Sequence, residues 1–209
     1  MTINNNFSDI AYNRKSIRLY DESVKISNEE MLEMIQKSTI APSSVNMQPW
    51  RFVVVESPEE KQKLKPLIRF NTRQNDTSSA MILIFGDMEC YEYGEVIYNQ
   101  AVIEGKMSPK VRDEQLAAII PYYKNFTREE MNDVVKIDSS LAAMQFMLVA
   151  RAHGYDTNPI GGFEADKLAE AFGLKKDRYV PVMILSIGKA LEEGYNSIRL
   201  DAKEFTTFK

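Results

Sequence analysis

Three short apolar runs stand out in the pattern of hydrophobic and polar positions. They are RFVVVE at 51–56, MILIFGD at 81–87 and VPVMILSIG at 180–188. Each run is short and rich in β-branched residues, so each predicts a strand. The middle run has no polar face, which predicts a strand that is buried on both sides.

Helix-capping signals mark the segments between these runs. SNEE at 27–30 is a capping box that opens a helix to about Thr39. A second helix begins at Ser57-Pro58, because proline is favoured at the first helical position. TREE at 127–130 caps a long helix that runs to His153.

The remaining segments give weaker signals. Residues 88–126 are expected to be helical with a break near 105–109, and residues 164–172 form a short helix that Gly173 stops. DTNPIGGF at 156–163 is rich in turn residues and is expected to be a loop. The last twenty residues contain little that would pack on its own.

Long helices alternate with a few strands without a regular βαβ repeat. This order predicts an α+β fold of one domain, 1–209, in which helices cover both faces of a small sheet. The segment LAAMQFMLVA at 141–150 is apolar on nearly every side, so its helix lies in a core or in an interface. This helix and the weakly packing tail favour a partner subunit; the alternative is a monomer that wraps its own central helix.

Charge and composition exclude several classes of partner. The chain has 209 residues, a net charge of −4 and a pI near 5.3, which argues against nucleic acid or an anionic membrane as the main partner. Cys90 is the single cysteine, so no internal disulfide is possible and a reducing compartment is expected. The N-terminus has no apolar signal core, and no apolar run reaches the roughly 20 residues of a membrane helix. We therefore expect a cytoplasmic protein.

The chain has few histidine or cysteine side chains that could bind a metal or take part in nucleophilic catalysis with a histidine base. One histidine and one cysteine cannot form a Cys/His metal cluster, so no metal site is expected. A serine-histidine-aspartate triad would need His153, but a histidine before Gly154 at a helix end is typical of capping. If the protein is an enzyme, a bound cofactor would have to supply the difficult chemistry.

A cluster of cations lies near the N-terminus. Arg14, Lys15 and Arg18 surround Ser16, and Arg14 and Arg18 share one side in either a helix or a strand. Two guanidinium groups can therefore converge on one oxyanion, with Ser16 as a neutral donor. The alternative is a solvated basic turn.

Two loops could hold a polar, flat ligand. The loop at 41–50 presents hydroxyls and amides on a backbone that two prolines stiffen: Ser43, Ser44, Asn46 and Gln48. The alternative is that these side chains cap their own turn. In PIGGF at 159–163, glycine would let the backbone approach a ligand closely, unless the segment is a plain loop before a helix.

The order and spacing of these motifs resemble the nitroreductase family of flavin enzymes over nearly the whole chain. RKSIR at 14–18 resembles its R-[RK]-S-x-R motif, and PSSVNMQPW at 42–50 resembles its P-S-x-x-N-x-Q-P-W loop. Asn71 and Gln74 resemble its N-x-x-Q motif. The PIGGF segment and Arg199 also match in family order.

The resemblance implies a three-layer sandwich with a small mixed sheet, and an intertwined homodimer that binds FMN at its interface. Arg14, Ser16, Arg18 and Arg199 would hold the phosphate, and Lys15 would lie near the pyrimidine side of the ring. The ribityl chain or ring edge would meet Asn71 and Gln74, and the partner chain would contribute Pro42, Ser43, Ser44 and Asn46. The remaining flavin contacts would come from Pro159, Ile160, Gly161 and Gly162, with the backbone N–H of Gly162 or its neighbour near flavin N5.

The resemblance also implies a reaction. NADH or NADPH would pass a hydride to flavin N5, and a nitroaromatic, a quinone or a similar planar acceptor would then be reduced at the same site with ping-pong kinetics. Tyr122 and Tyr123 are candidates for a lid over the acceptor, with aromatic packing as the alternative. Other possible functions are a flavin sensor or store, a specialised flavin reductase or dehalogenase, and a flavin-free protein that binds an acidic partner.

Overall fold

The computed structural model describes residues 3–209, which form eight α-helices and four strands. The helices are α1 Phe7–Tyr12, α2 Asn28–Ser38, α3 Pro58–Leu64, α4 Thr72–Thr77, α5 Gly94–Ile103, α6 Pro109–Lys124, α7 Arg128–Ala152 and α8 Ala165–Ala171. The strands are β1 Trp50–Val55, β2 Ala80–Asp87, β3 Asp156–Ile160 and β4 Tyr179–Gly188. The predicted α+β fold, the three apolar strands and the capped helices are therefore confirmed.

The four strands form one sheet in the order β1-β2-β4-β3. All three strand pairs are antiparallel, so the mixed sheet that we expected is corrected to an antiparallel one. A parallel pairing occurs only in the isolated bridge from Ser16 to Thr157, among the residues described. The consecutive strands β2 and β3 run in the same direction but are not neighbours, because β4 lies between them and the helices α5, α6 and α7 connect them.

The strand β3 was expected to be a loop. Its sequence DTNPI contains Asn158 and Pro159, which are depleted in strands. Proline is tolerated here because β3 lies at the edge of the sheet and pairs only with β4 among the named strands. The prediction of a loop was wrong because edge position cannot be read from local sequence.

Side chains of β2 alternate between two cores and create the three-layer sandwich. Ile82 and Ile84 face α2 and α7, where Phe146 packs against them. Leu83 and Phe85 face the opposite side, which α3 and α8 cover. Full burial of each such side chain contributes roughly 1.5–3 kcal/mol. The buried β2 strand is therefore the centre of the fold.

Helix α7 is the longest helix and is buried along one side. Thr127 and Glu130 form the predicted capping box at its start. Its exposed side carries three large apolar side chains at helical spacing: Ile137, Leu141 and Met144. His153 caps its end and is buried between Glu30 and Lys37, as the capping and packing interpretation predicted. In the part of the chain that is described, no helix has the length and apolar character needed to cross a membrane.

Candidate functional site

The cationic segment at 14–18 is fixed to the edge of the sheet. The N–H of Ile17 donates to the carbonyl of Thr157 at 3.2 Å, beside the bridge between Ser16 and Thr157. Tyr20 is fully buried, and its hydroxyl lies 2.9 Å from the carbonyl of Ile17 and 2.8 Å from Ser186 Oγ. The segment is therefore an ordered part of the fold rather than a freely solvated basic turn.

The C-terminal tail runs along this segment and brings a further arginine to it. Gly194 approaches so closely that an added Cβ would stand 2.6 Å from the Cβ of Lys15. Lys15 Nζ donates to Asn196 Oδ1 at 3.0 Å. Arg199 follows, and its guanidinium contacts only Ser197 and Ile198 through hydrogen bonds among the described residues.

Arg14 is a partly buried cation without a facing carboxylate. Its Nη1 atom is buried and has no hydrogen-bond partner in the described part of the chain. Burial lowers the pKa of Arg14, and the positive charges of Arg199 and Arg151 lower it further. Arg151 is itself paired with Asp156 at 2.9 Å, so Arg14 and Arg199 remain as the uncompensated charges. Such an arrangement is unfavourable alone and suits a bound anion.

The side chain of Arg18 makes a different contact. Its guanidinium stands over the ring of Tyr195 at 4.8 Å, and its backbone N–H donates to Glu192 Oε1 at 3.1 Å. Arg14 is instead accompanied by Arg199 and Arg151. Of the two other arginines that the resemblance assigns to the same anion, Arg199 is the one whose charge lowers the pKa of Arg14.

The glycine-containing segment and the start of α4 are held side by side. The N–H of Arg69 donates to the carbonyl of Gly162 at 3.1 Å, and Ile68 bridges to Phe163. Asn71 follows Arg69 by two residues, and its side chain makes no capping bond to α4. Gln74, one turn later, is buried.

The backbone conformations of Gly161 and Gly162 are ones that residues other than glycine can also adopt. Neither has a positive φ, and a Cβ built on either meets no atom within 4 Å. The chain itself would therefore accept alanine at both positions. The open space beside their backbone is the kind of surface that a flat ligand can approach.

The loop at 41–49 has an unusual backbone. Val45, Asn46 and Gln48 have φ values of 44°, 56° and 47°, in the left-handed region. This conformation is a genuine outlier for a β-branched residue such as Val45. Strained backbone of this kind concentrates at functional sites and persists where the surroundings fix it.

Side chains from three helices fix the loop. Asp138 of α7 accepts hydrogen bonds from the N–H of Ser44 at 2.8 Å and from its hydroxyl at 3.1 Å. Tyr98 of α5 donates to the carbonyl of Val45 at 3.0 Å, and Tyr123 of α6 donates to that of Ser44 at 3.4 Å.

The loop satisfies part of its own turn, as the alternative interpretation stated. The hydroxyl of Ser43 accepts from the N–H of Gln48 at 3.1 Å. Pro42 and Asn46 are exposed, whereas Trp50 is buried in the core. The exposed edge of the loop is thus free to meet a ligand or a second chain.

The two tyrosines of α6 have different environments. Tyr122 is 63% exposed and contacts the ring of Phe126 edge-on. Tyr123 is 4% exposed and stacks on the ring of Phe126. Tyr122 is therefore open to solvent, while Tyr123 packs among aromatic side chains and supports the loop.

The loop contacts the middle of α7, whereas Arg151, whose charge acts on Arg14, lies in the last turn of that helix. The loop is bound to Asp138, and the pair lies beside Arg151. At 1.5 Å per residue, the helix between these two positions is roughly 20 Å long. No hydrogen bond or ion pair joins residues 41–49 to 14–18 within the described residues.

A comparison with protein-family models identifies the family of the chain. The model described as the nitroreductase family matches residues 11–189, which include the cationic segment, the strained loop and the glycine segment. The chain belongs to the nitroreductase family. The predicted family and the expectation of an oxidoreductase of this type are thus confirmed.

Individual nitroreductases resemble the chain over nearly their whole length. A Bacillus subtilis protein provisionally named NAD(P)H nitroreductase YdgI is 52% identical over 205 residues, with 98% of each chain covered. A Lactiplantibacillus plantarum enone reductase of CLA biosynthesis is 40% identical over 207 residues, covering 99% of this chain and 95% of the relative. A crystal structure from Exiguobacterium sibiricum, described provisionally as a nitroreductase in complex with FMN, has a TM-score of 0.96 and 54% identity, with 99% of each chain covered.

Sequence reasoning missed three side chains of this nitroreductase site. Arg151 adds charge beside Arg14, and Asp138 and Tyr98 hold the loop. A usable signal existed for Asp138, which is an acid close to the apolar part of a long helix. Arg151 and Tyr98 carry no local signal, because their partners are distant in the sequence.

Proposed function

We propose that the protein is an FMN-dependent NAD(P)H oxidoreductase that reduces planar acceptors. The observation that carries this proposal is the buried, unpartnered Nη1 of Arg14 beside Arg199. A phosphate monoester is a dianion that would accept hydrogen bonds from both guanidinium groups. The family membership and the FMN complex of the relative from Exiguobacterium support the choice of FMN.

The chain's residues would hold FMN from three sides. Arg14 and Arg199 would bind the phosphate with Ser16, and Arg18 would contribute if it leaves the ring of Tyr195. Lys15 would place positive charge near the pyrimidine side, and Asn71 with Gln74 would meet the ribityl chain or ring edge. The backbone at 159–162 would lie against the ring, with the N–H of Gly162 near N5.

FMN, when bound, supplies hydride transfer between the nicotinamide and the acceptor. The chain contributes binding, orientation and charge. Its single histidine is engaged with Glu30 and Lys37, and no side chain needs to act as general acid. Because donor and acceptor would use one face in turn, we expect ping-pong kinetics.

A homodimer would complete the site. The loop at 41–49 has no hydrogen bond to residues 14–18 of its own chain among the described residues, and in the proposed dimer a second copy would supply Pro42, Ser43, Ser44 and Asn46. The exposed apolar side of α7 supports this assembly, since such a stripe favours burial against a partner. The tail also exposes large apolar side chains, including Tyr195, Ile198, Leu200, Phe205 and Phe208.

The acceptors proposed are nitroaromatics, quinones and similar planar, conjugated compounds. The relative named as an enone reductase adds conjugated enones to this class, because they share planarity and an electron-poor double bond. Tyr122 is the exposed aromatic side chain of α6 and would stack on the acceptor.

The test is to purify the protein, release its chromophore and identify it. We expect FMN, which NADH or NADPH bleaches rapidly without air and which a quinone, nitroaromatic or enone reoxidises. Bound FMN that neither nucleotide reduces would instead indicate a sensor or store. A colourless protein that takes up no added FMN would contradict the proposal and favour a flavin-free interaction protein.

A further inference from the structure

A buried acid lies directly behind the strained loop. Asp138 is 3% exposed, and both of its carboxylate oxygens accept hydrogen bonds from one residue, Ser44. No cation forms an ion pair with Asp138 in the part of the chain that is described. A buried carboxylate without a counter-ion is costly, so local donors must offset that cost.

The position of these bonds matters more than their number. Ser44 immediately precedes Val45 and Asn46, the two consecutive residues with left-handed φ. Asp138 accepts a hydrogen bond from the N–H of Ser44, while Tyr123 donates one to its carbonyl. These bonds fix the orientation of the peptide groups on both sides of Ser44. The backbone that leads into the left-handed residues Val45 and Asn46 is therefore held in place.

We infer that Asp138 is a positioning residue that holds the loop at 41–49 in the left-handed form in which it meets FMN. This inference rests on the proposed function, because it assigns the role of the carboxylate in that same site. Without the carboxylate, Val45 and Asn46 would relax toward ordinary φ values. The exposed atoms of Ser44 and Asn46 would then leave the positions from which they contact the ligand.

The chemistry of the side chain makes the inference testable. Asparagine has nearly the same shape as aspartate, but it has a single acceptor oxygen and no charge. Asp138→Asn therefore keeps the packing, but it gives the N–H of Ser44 a neutral acceptor in place of an ionised one, and its NH2 group can only donate to the Ser44 hydroxyl. Because a bond to an ionised acceptor is strong, we expect FMN binding to weaken about tenfold.

The experiment measures two quantities on the full-length protein. FMN is removed, and the Kd for added FMN is measured by flavin fluorescence for wild type, Asp138→Asn and the matched control Asp133→Asn. Asp133 is an exposed acid on the same helix. Hydrogen exchange is then followed in the FMN-free proteins, where we expect Asp138→Asn to speed exchange in residues 41–49 while β2 and β4 exchange as in wild type.

Each outcome decides the inference. Weaker FMN binding with faster exchange confined to the loop supports positioning. Unchanged binding, or exchange that rises across the whole core, overturns it. If Asp138→Asn does not fold, Ser44→Ala removes only the hydroxyl bond and should speed loop exchange to a smaller extent; unchanged exchange in that variant also overturns it. A wild type that takes up no FMN refutes the proposed function and this role together, whereas wild-type uptake with unaffected variants refutes the role alone.

Discussion

Arg178 donates two hydrogen bonds to the carboxylate of Asp87, from Nε at 2.8 Å and from Nη2 at 3.0 Å. Asp87 is fully buried at the end of β2. Arg51 donates to the same carboxylate at 2.9 Å, and its other terminal nitrogen donates to the carbonyl of Gln48 at 2.9 Å. This network therefore ties the end of the strained loop to the centre of the sheet.

Arg178→Lys should lower the free energy of unfolding by about 1.5–3 kcal/mol. Lysine keeps the charge but loses the planar pair of donors, so the buried carboxylate loses a charge-assisted bond. Urea unfolding of the FMN-free protein at a fixed concentration measures the change. The matched control is Arg69→Lys, whose exposed pair with Glu164 should contribute less than about 1 kcal/mol. Equal effects of the two substitutions would contradict this account of the network.

Arg14→Ala should have opposite effects on stability and on FMN binding. The FMN-free protein should be at least as stable as wild type, because a buried, uncompensated cation is removed. FMN affinity should fall roughly ten- to a hundredfold, because charge-assisted bonds to the phosphate are lost. Lys176→Ala, at an exposed and distant position, is the control. Unchanged flavin affinity in Arg14→Ala would show that the phosphate lies elsewhere.

Gly162→Ala should leave the stability of the chain unchanged and should weaken FMN binding or slow flavin reduction. The FMN-free variant should unfold at nearly the wild-type temperature, because an added Cβ meets nothing within 4 Å. FMN binding or the rate of flavin reduction by NAD(P)H should fall, because the Cβ would occupy space beside the ring. Thermal unfolding and anaerobic stopped-flow measurements test the two halves. An active variant with wild-type flavin affinity would remove Gly162 from the site.

The stability of Asp138→Asn relative to wild type should rise with pH. Burial raises the pKa of Asp138 above its ordinary value of 3.8, although the hydrogen bonds from Ser44 oppose this shift. The titratable groups near it are Cys90 and Tyr123, and burial also raises the pKa of each of them to about 12.

The direction follows from proton linkage. Below the ordinary value, Asp138 is neutral in both the folded and the unfolded chain. As pH rises through that value toward the raised pKa, the unfolded chain releases its proton first, so wild type loses stability that asparagine keeps. The unfolding free energy of Asp138→Asn minus that of wild type should therefore increase between pH 3 and pH 8. A difference that is independent of pH would contradict a raised pKa.

Local features of the sequence predicted most of the fold. The capping box at Thr127 and the apolar run of β2 are decided by neighbours in the chain, and both appear where the pattern placed them. The strand β3 was missed because Pro159 is acceptable only at a sheet edge, which is a property of the whole sheet.

The candidate site was predicted only in part for the same reason. The resemblance paired Arg14 with Arg199, and the structure brings the two together across the length of the chain. The resemblance also assigned Arg18 to this phosphate, and the structure adds a contact that no local pattern encodes, since Arg18 stacks on Tyr195 of the tail. Asp138 and Tyr98 depend on contacts between helices and a loop that no local pattern encodes.

The most direct test of a site built from two chains is complementation. One chain carries Arg14→Ala with Arg199→Ala, a second carries Ser44→Ala with Asn46→Ala, and the two are co-expressed with different tags. If each parent binds no FMN, half of the dimers are mixed and contain one intact site, so about a quarter of the wild-type flavin content should return. Flavin in the doubly tagged dimers supports the account; doubly tagged dimers without flavin, or flavin retained in either parent alone, would contradict it.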